Sequence, residues 1–281
     1  MKKKVTGIAR YQSYDTIEKR IKEFDSYSII GRDASENYNL YKITLGNSDK
    51  PCIFLTASMH GNEWHSTQYA LAFFENLRDN TYPDKELRNI LLDNFYLVLI
   101  PVVNPYGLVI SRGNEYARYN NPARHNANDV NINRDFHTAS QPETQAVIKQ
   151  LLLDKPFAYL DLHLFQPVYA QSLGNNLIIG NGQAETNEVR NDFINRLEES
   201  VKQVITPWNE PSINGLSRYF VANQSNDYTP YTLSYISEIV RPAYINDDLI
   251  EPLNKSQIFD CGIATIHYFL ITSIEYFNKH N

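Results

Sequence analysis

Apolar positions in this chain come in short solid runs separated by polar, helix-like stretches. CIFLTA (52–57), FYLVLIPVV (95–103), FAYLDLHLF (157–165), NNLIIG (175–180) and YTLSYISEIV (231–240) predict strands. The runs are apolar at successive positions and not at alternate ones, so they predict strands covered on both faces, as in a largely parallel sheet. Between them, the i, i+3, i+4 spacing predicts helices over 15–24, 64–77, 84–92, 141–153, 187–205 and 256–277. In the first of these, Ile17, Ile21 and Phe24 share one face and Asp15 is placed to cap it. No repeat, low-complexity tract or Pro/Gly linker divides the chain. The expected fold is α/β: one three-layer α/β/α domain over residues 1–281 with a mixed, mostly parallel central sheet.

One stretch resists this pattern. Residues 104–133 are polar, rich in Asn and Arg, and have no clear period. A segment of that length inside a compact domain is usually functional.

Composition narrows the classes. With 281 residues, 42% hydrophobic and 21% charged, the chain is long enough to bury a large core. A net charge of −6 argues against a general nucleic-acid or anionic-membrane partner. The basic MKKK start leads into VTGIARYQSYDT, which lacks the apolar core of a signal peptide, and no stretch reads as a membrane span. The expected location is cytoplasmic, and the sequence leaves the oligomeric state unread. Cys52 lies in a predicted strand as a small hydrophobe, and no bridge to Cys261 is expected.

The polar residues His60, Glu63, Asn104, His163 and Glu238 all fall at or near strand ends. In open α/β sheets reactive groups collect there. SMHGNEWHST (58–67) spends His60, Glu63 and His65 directly after a strand, either as a polar turn that caps the next helix or as a metal site. Catalytic zinc takes three nitrogen or oxygen ligands and keeps one position open. His60 and Glu63, three apart, can aim at one point across a strand-to-helix turn, and His163 ends another strand. Asp161, two before it, shares its strand face and can support the ligand or lie below it. His65 is a rival ligand, but His-Glu-x-x-His is absent because the second His comes five after the first. His125, His137, His267 and His280 read as loop, helix or tail residues.

The order HGNE, NPYG, NINRDF, DLH and a late strand bearing Glu resembles the zinc metallocarboxypeptidase family, of the carboxypeptidase A-like kind, over residues 50–240. The resemblance implies one zinc per chain, held by His60, Glu63 and His163. It implies hydrolysis of a C-terminal peptide or amide bond by water at that zinc, with Glu238 as the general base. Asn133 and Arg134 would bind the free carboxylate of the substrate, where a planar guanidinium can hold both oxygens. Arg124 or Arg118 would stabilise the oxyanion. Arg124 is preferred because RHNANDVNINR looks like one compact loop. Tyr219, in YFVANQSND, resembles the stretch whose mobile tyrosine closes over substrate, and in that register Asn226 falls where side-chain preference is set.

The pattern also departs from the family. Asn62 stands where the digestive enzymes carry arginine, which makes HGNE similar to the branch of aspartoacylase and succinylglutamate desuccinylase. LFQPVYA after His163 lacks the usual small polar residue. The alternative reading is therefore an N-acyl amino acid deacylase, and a second is an inactive relative that binds peptide ends. Bacterial relatives often trim cell-wall peptides. In either catalytic case the partner is a peptide or N-acyl amino acid with a free carboxylate.

Overall fold

The computed structural model describes residues 5–114, 121–166, 176–180, 183–209, 215–245 and 248–281. Its centre is one eight-stranded sheet in the order β1-β2-β4-β3-β5-β8-β6-β7. The strands are β1 (Tyr27–Arg32), β2 (Asn39–Gly46), β3 (Cys52–Ala57), β4 (Tyr96–Ile100), β5 (Ala158–Phe165), β6 (Asn176–Gly180), β7 (Ile205–Asn209) and β8 (Leu233–Val240). The inner strands β4, β3, β5 and β8 run parallel, whereas β1, β2 and β6 enter through antiparallel pairings. A small hairpin of β9 (Ala243–Ile245) and β10 (Asp248–Ile250) stands apart.

Among the described residues the α-helices are α1 (Tyr14–Ile21), α2 (His65–Arg78), α3 (Lys85–Asn94), α4 (Pro105–Ser111), α5 (Pro142–Asp154), α6 (Ala184–Val201), α7 (Ser217–Ala222) and α8 (Lys255–His280). The solid apolar runs pack on both sides, as their pattern predicts. Ile53, Leu55, Leu97, Leu99, Leu160 and Leu162 enter the larger core, beneath α2, α6 and α8. The intervening Phe54, Val98, Ile100 and Tyr159 enter a smaller core with Val147 and Leu151 of α5. Strand alternation thus divides one apolar run between two layers. Both cysteines are free and buried, Cys52 in the smaller core and Cys261 in the larger.

Several expectations need correction. Helix α1 begins at Tyr14, and Ser13, whose hydroxyl accepts from Thr16 N at 3.3 Å, is its cap. Asp15 lies inside the first turn, where its charge suits the helix dipole. The stretch 104–133 is not structureless. Asn104 accepts from Gly107 N at 2.8 Å and Pro105 opens α4, a helix too short to show a period. The helix expected over 187–205 stops at Val201, where Lys202 turns left-handed (φ 56°). Strands β1, β2 and β7 escape the pattern. β1 is a mostly exposed edge strand, and β7 contains Pro207, which belongs at an edge. Helix α8 is, by length and composition, long and apolar enough to cross a membrane, contrary to expectation. Here it is a core helix, packed on α2 and α6 and burying Ile258, Phe269 and Leu270.

The parallel strands bring the ends of β3, β5 and β8 to one edge, with His163 paired directly opposite Glu238. The chain leaves β3 through Ser58, held left-handed (φ 47°). Ser58 N donates to Ser66 Oγ at 2.9 Å, and its carbonyl accepts from Asn104 N at 3.0 Å. The 3₁₀ turn Gly61–Glu63 then presses backbone to backbone on α4. A Cβ on Gly61 would lie 2.0 Å from the Gly107 carbonyl carbon and 2.1 Å from Leu108 N. Gly61→Ala must therefore separate these segments. We expect a loss of roughly 1–3 kcal/mol, read as a lower midpoint in urea.

Candidate metal centre

Glu63 is buried between two imidazoles. Its Oε1 lies 2.9 Å from His60 Nδ1 and its Oε2 lies 2.9 Å from His163 Nδ1. The two Nδ1 atoms are 3.2 Å apart. Ligand atoms of all three side chains lie within 4.8 Å of one another. Glu63 comes from the turn after β3, and Leu164 N of β5 donates to its Oε2 at 3.1 Å, tying the turn to the strand that carries His163.

The far ring nitrogens fix how the imidazoles face. His60 Nε2 is 3.1 Å from Asn131 Oδ1, and His163 Nε2 is 2.9 Å from Asp161 Oδ2. With acceptors on both Nε2 positions, each ring can keep a proton there and would leave its Nδ1 lone pair to a metal at the centre. Two imidazole nitrogens and a carboxylate then converge with too few donors among them. This set fits zinc, which favours nitrogen and oxygen ligands from His and Glu.

Electrostatics agree. Burial works against the Glu63 charge, yet the two imidazoles hold its carboxyl well below the usual range. Burial lowers His60 to about 4, helped by nearby Arg124. Burial also disfavours charge on His163, but Asp161 and Glu63 carry it well above its ordinary value. This favours a second proton on His163, at Nδ1 facing Glu63, and binding of a divalent cation would displace it.

Other expected residues gather around this centre. Arg124, on the 3₁₀ turn Pro122–Arg124, places Nη1 3.4 Å from Glu63 Oε1. That turn is held by Asn104, whose Nδ2 donates to His125 O at 2.9 Å, so the NPYG motif anchors the arginine loop. Asn133 is buried with Nδ2 3.4 Å from His163 Nε2. Arg134 is exposed beside it, and its Nη1 donates to Asn133 O at 2.7 Å. Glu238 is only partly exposed and its Oε2 is shut off without a hydrogen-bond partner among the described residues. Burial pushes its carboxyl up to about 7. A divalent cation in the triad would pull the other way, favouring the ionised form.

Tyr219 lies on α7, where it lines a cavity of about 290 Å³ with Phe136, His137 and Phe220. Arg118 lies outside the described residues. His65 turns away from the triad and stacks on Trp64, with ring centroids 3.6 Å apart. Asn226 spends its amide on a turn, accepting from Tyr228 N and Thr229 N and donating to Thr232.

The zinc carboxypeptidase family model matches residues 11–239. The chain belongs to this family. Zinc carboxypeptidases act on peptides with a free C terminus, and their zinc and hydrolase chemistry accord with the His60, Glu63 and His163 set. Mouse carboxypeptidase D is 31% identical over 118 residues, 42% of this chain and 8% of that protein. The matched region thus spans under a tenth of that relative. A metallo-carboxypeptidase from Burkholderia cenocepacia superposes with a TM-score of 0.73 over 95% of this chain and 70% of its own, at 16% identity. A Pseudomonas aeruginosa metallo-carboxypeptidase, in complex with (2-guanidinoethylmercapto)succinic acid, gives 0.67 over 95% and 71%, at 18% identity. These likenesses show the same zinc carboxypeptidase fold, a mixed and mostly parallel sheet clad by helices.

Two residues of the centre went unassigned in the sequence. Asn131 supports His60, and its place in NINRDF, two before Asn133, was the available signal. Ser217, bonded to both Asp161 and Asn133, carried none.

Asp135 secures the NINRDF turn, accepting from Thr138 Oγ1, Ser140 N, Ser140 Oγ and Gln141 N. Burial opposes its charge, but these bonds bring the carboxyl from 3.8 to about 2. The folded value is depressed, so the stabilisation is present above the unfolded value and lost as pH falls toward 2. Asp135→Asn should cost about 1–2 kcal/mol near neutrality. The deficit should shrink between pH 4 and 2 in urea titrations run at a series of pH values.

Proposed function

We propose that this chain is a zinc-dependent metallocarboxypeptidase, a single catalytic domain that removes a C-terminal residue from a peptide. The observation that carries the reading is the convergence of His60 Nδ1, His163 Nδ1 and both Glu63 oxygens. Arg124 and Glu238 flank that point. Zinc bound there supplies Lewis acidity, polarising a carbonyl and making water nucleophilic near neutral pH.

The chain's own residues do the rest. Asn133 and Arg134 hold the substrate carboxylate, which sets the scissile bond at a fixed distance from the centre. Arg124, 3.4 Å from Glu63, stands where it can turn its guanidinium to the developing oxyanion. Glu238 takes a proton from the attacking water and delivers it to the leaving nitrogen. Its sequestered Oε2 has no competing partner among the described residues. Tyr219 on α7 serves the substrate side of the clamp. Peptides with a free carboxylate, cell-wall peptides among them, are the substrate class we favour, and Asn62, which stands where the digestive enzymes carry arginine, keeps N-acyl amino acids as the alternative.

Glu238→Gln should leave zinc bound at one per chain, measured by elemental analysis, while kcat falls by about 10²- to 10⁴-fold. Unchanged turnover would remove Glu238 from the mechanism, and absence of zinc would remove the catalytic reading. The substrate class is checked by comparing N-blocked dipeptides and muropeptides with N-acetyl and N-succinyl amino acids. We expect release of the last residue of the peptides to have the higher kcat/KM. Preference for the acyl amino acids would instead make the chain a deacylase.

A further inference from the structure

Three residues just before α7 and at its start, Gly215, Ser217 and Arg218, are fastened to the residues around the site. Gly215 O accepts from Phe136 N at 3.1 Å. Its φ of +100° and its position against Arg134, where a Cβ would lie 2.2 Å from the carbonyl oxygen, admit only glycine. Ser217 N donates to Asn133 Oδ1 at 3.0 Å, and Ser217 Oγ donates to Asp161 Oδ2. Arg218, fully buried, donates from Nη1 to Gly180 O at 2.9 Å, and its carbonyl accepts from Ser234 Oγ at 2.7 Å. Tyr219 follows directly. The start of α7 is therefore a strap laid across the NINRDF turn and pinned to β6 and β8.

Asp161 is the meeting point. Its Oδ2 receives both Ser217 Oγ–H and His163 Nε2–H, and its Oδ1 receives Thr56 Oγ1–H at 2.7 Å. Tyr159 OH lies 2.8 Å from the same threonine hydroxyl. All five side chains are buried. A carboxylate held on both oxygens has one orientation, and that orientation sets the His163 ring.

We propose that Ser217 is a positioning residue that couples the carboxylate clamp to the metal centre. Its hydroxyl fixes Asp161 against His163, while its backbone N–H fixes the Asn133 amide beside the same imidazole. Movement of α7 then reaches the metal ligand through two hydrogen bonds, and an ordered metal ligand holds α7 and Tyr219 in place. This inference rests on the triad being the zinc site.

The test measures zinc affinity by chelator competition, the visible spectrum of the cobalt-loaded protein, and the melting of the metal-free protein. Ser217→Ala should weaken zinc by about tenfold or more and shift the cobalt bands, in the range for loss of a ligand's supporting bond. Asp161→Asn should weaken zinc at least as much. Because Ser217 acts through Asp161, adding Ser217→Ala to Asp161→Asn should cost little further. Should Ser217→Ala fail to fold, Ser217→Cys, of similar volume and a far weaker donor, replaces it. Wild-type zinc affinity and cobalt spectrum in the variant, with only the metal-free melting lowered, would overturn the proposal. Full additivity of the two losses would overturn it as well. Failure of the unmodified protein to bind zinc or cobalt would overturn the metal-centre reading beneath it.

Discussion

The burial of the Glu63 carboxylate is the constraint around which the rest of the structure is organised. A buried carboxylate costs several kcal/mol unless partners surround it, and Glu63 is 1% exposed. It is held by two imidazoles, a backbone N–H and an arginine, drawn from the turn after β3, the end of β5 and the 121–125 loop. None of these partners is near it in sequence except His60. Parallel pairing of β3 and β5 is what brings His163 within reach, so the sheet and the site depend on each other. A divalent cation displacing the second proton of His163 would satisfy the same anion more completely.

Around that centre the short motifs divide their labour. HGNE places His60 and Glu63 at the centre and, at Gly61, a backbone thin enough to touch α4. NPYG starts α4 and ties down the loop of Arg124, a mechanical role for residues that carry no charge. NINRDF supplies Asn131 beneath His60, Asn133 beside His163 and Asp135 as the peg of its own turn. These turns hold their side chains in place because neighbours occupy their hydrogen bonds. The strap before and within α7 extends the same principle to the opposite side of the site.

Much of this could be read from the chain. The inner strands announced themselves because burial on both faces demands apolar residues at every position. Their ends pointed to His60, Glu63, His163 and Glu238 because polar groups placed directly after such strands have few other uses. Edge strands β1 and β7 were invisible for the opposite reason: solvent on one side relaxes the pattern that identifies a strand. Helix α4 was hidden by its length, and α8 was underestimated because its apolar face was judged by core packing and not by span.

The sequence by itself determined the inner strands and longer helices, the parallel core and the residue types able to hold zinc, since these depend on local periodicity and on side-chain chemistry. Only the tertiary structure decided which atoms meet. Nδ1 and not Nε2 faces the centre because Asn131 and Asp161 occupy the far ring nitrogens. His65 is excluded because the helix start turns it onto Trp64. Ser217 joins the site across 56 residues from Asp161 and 84 from Asn133. Contacts at such separations are set by sheet order and loop closure, and no pattern along the chain encodes them.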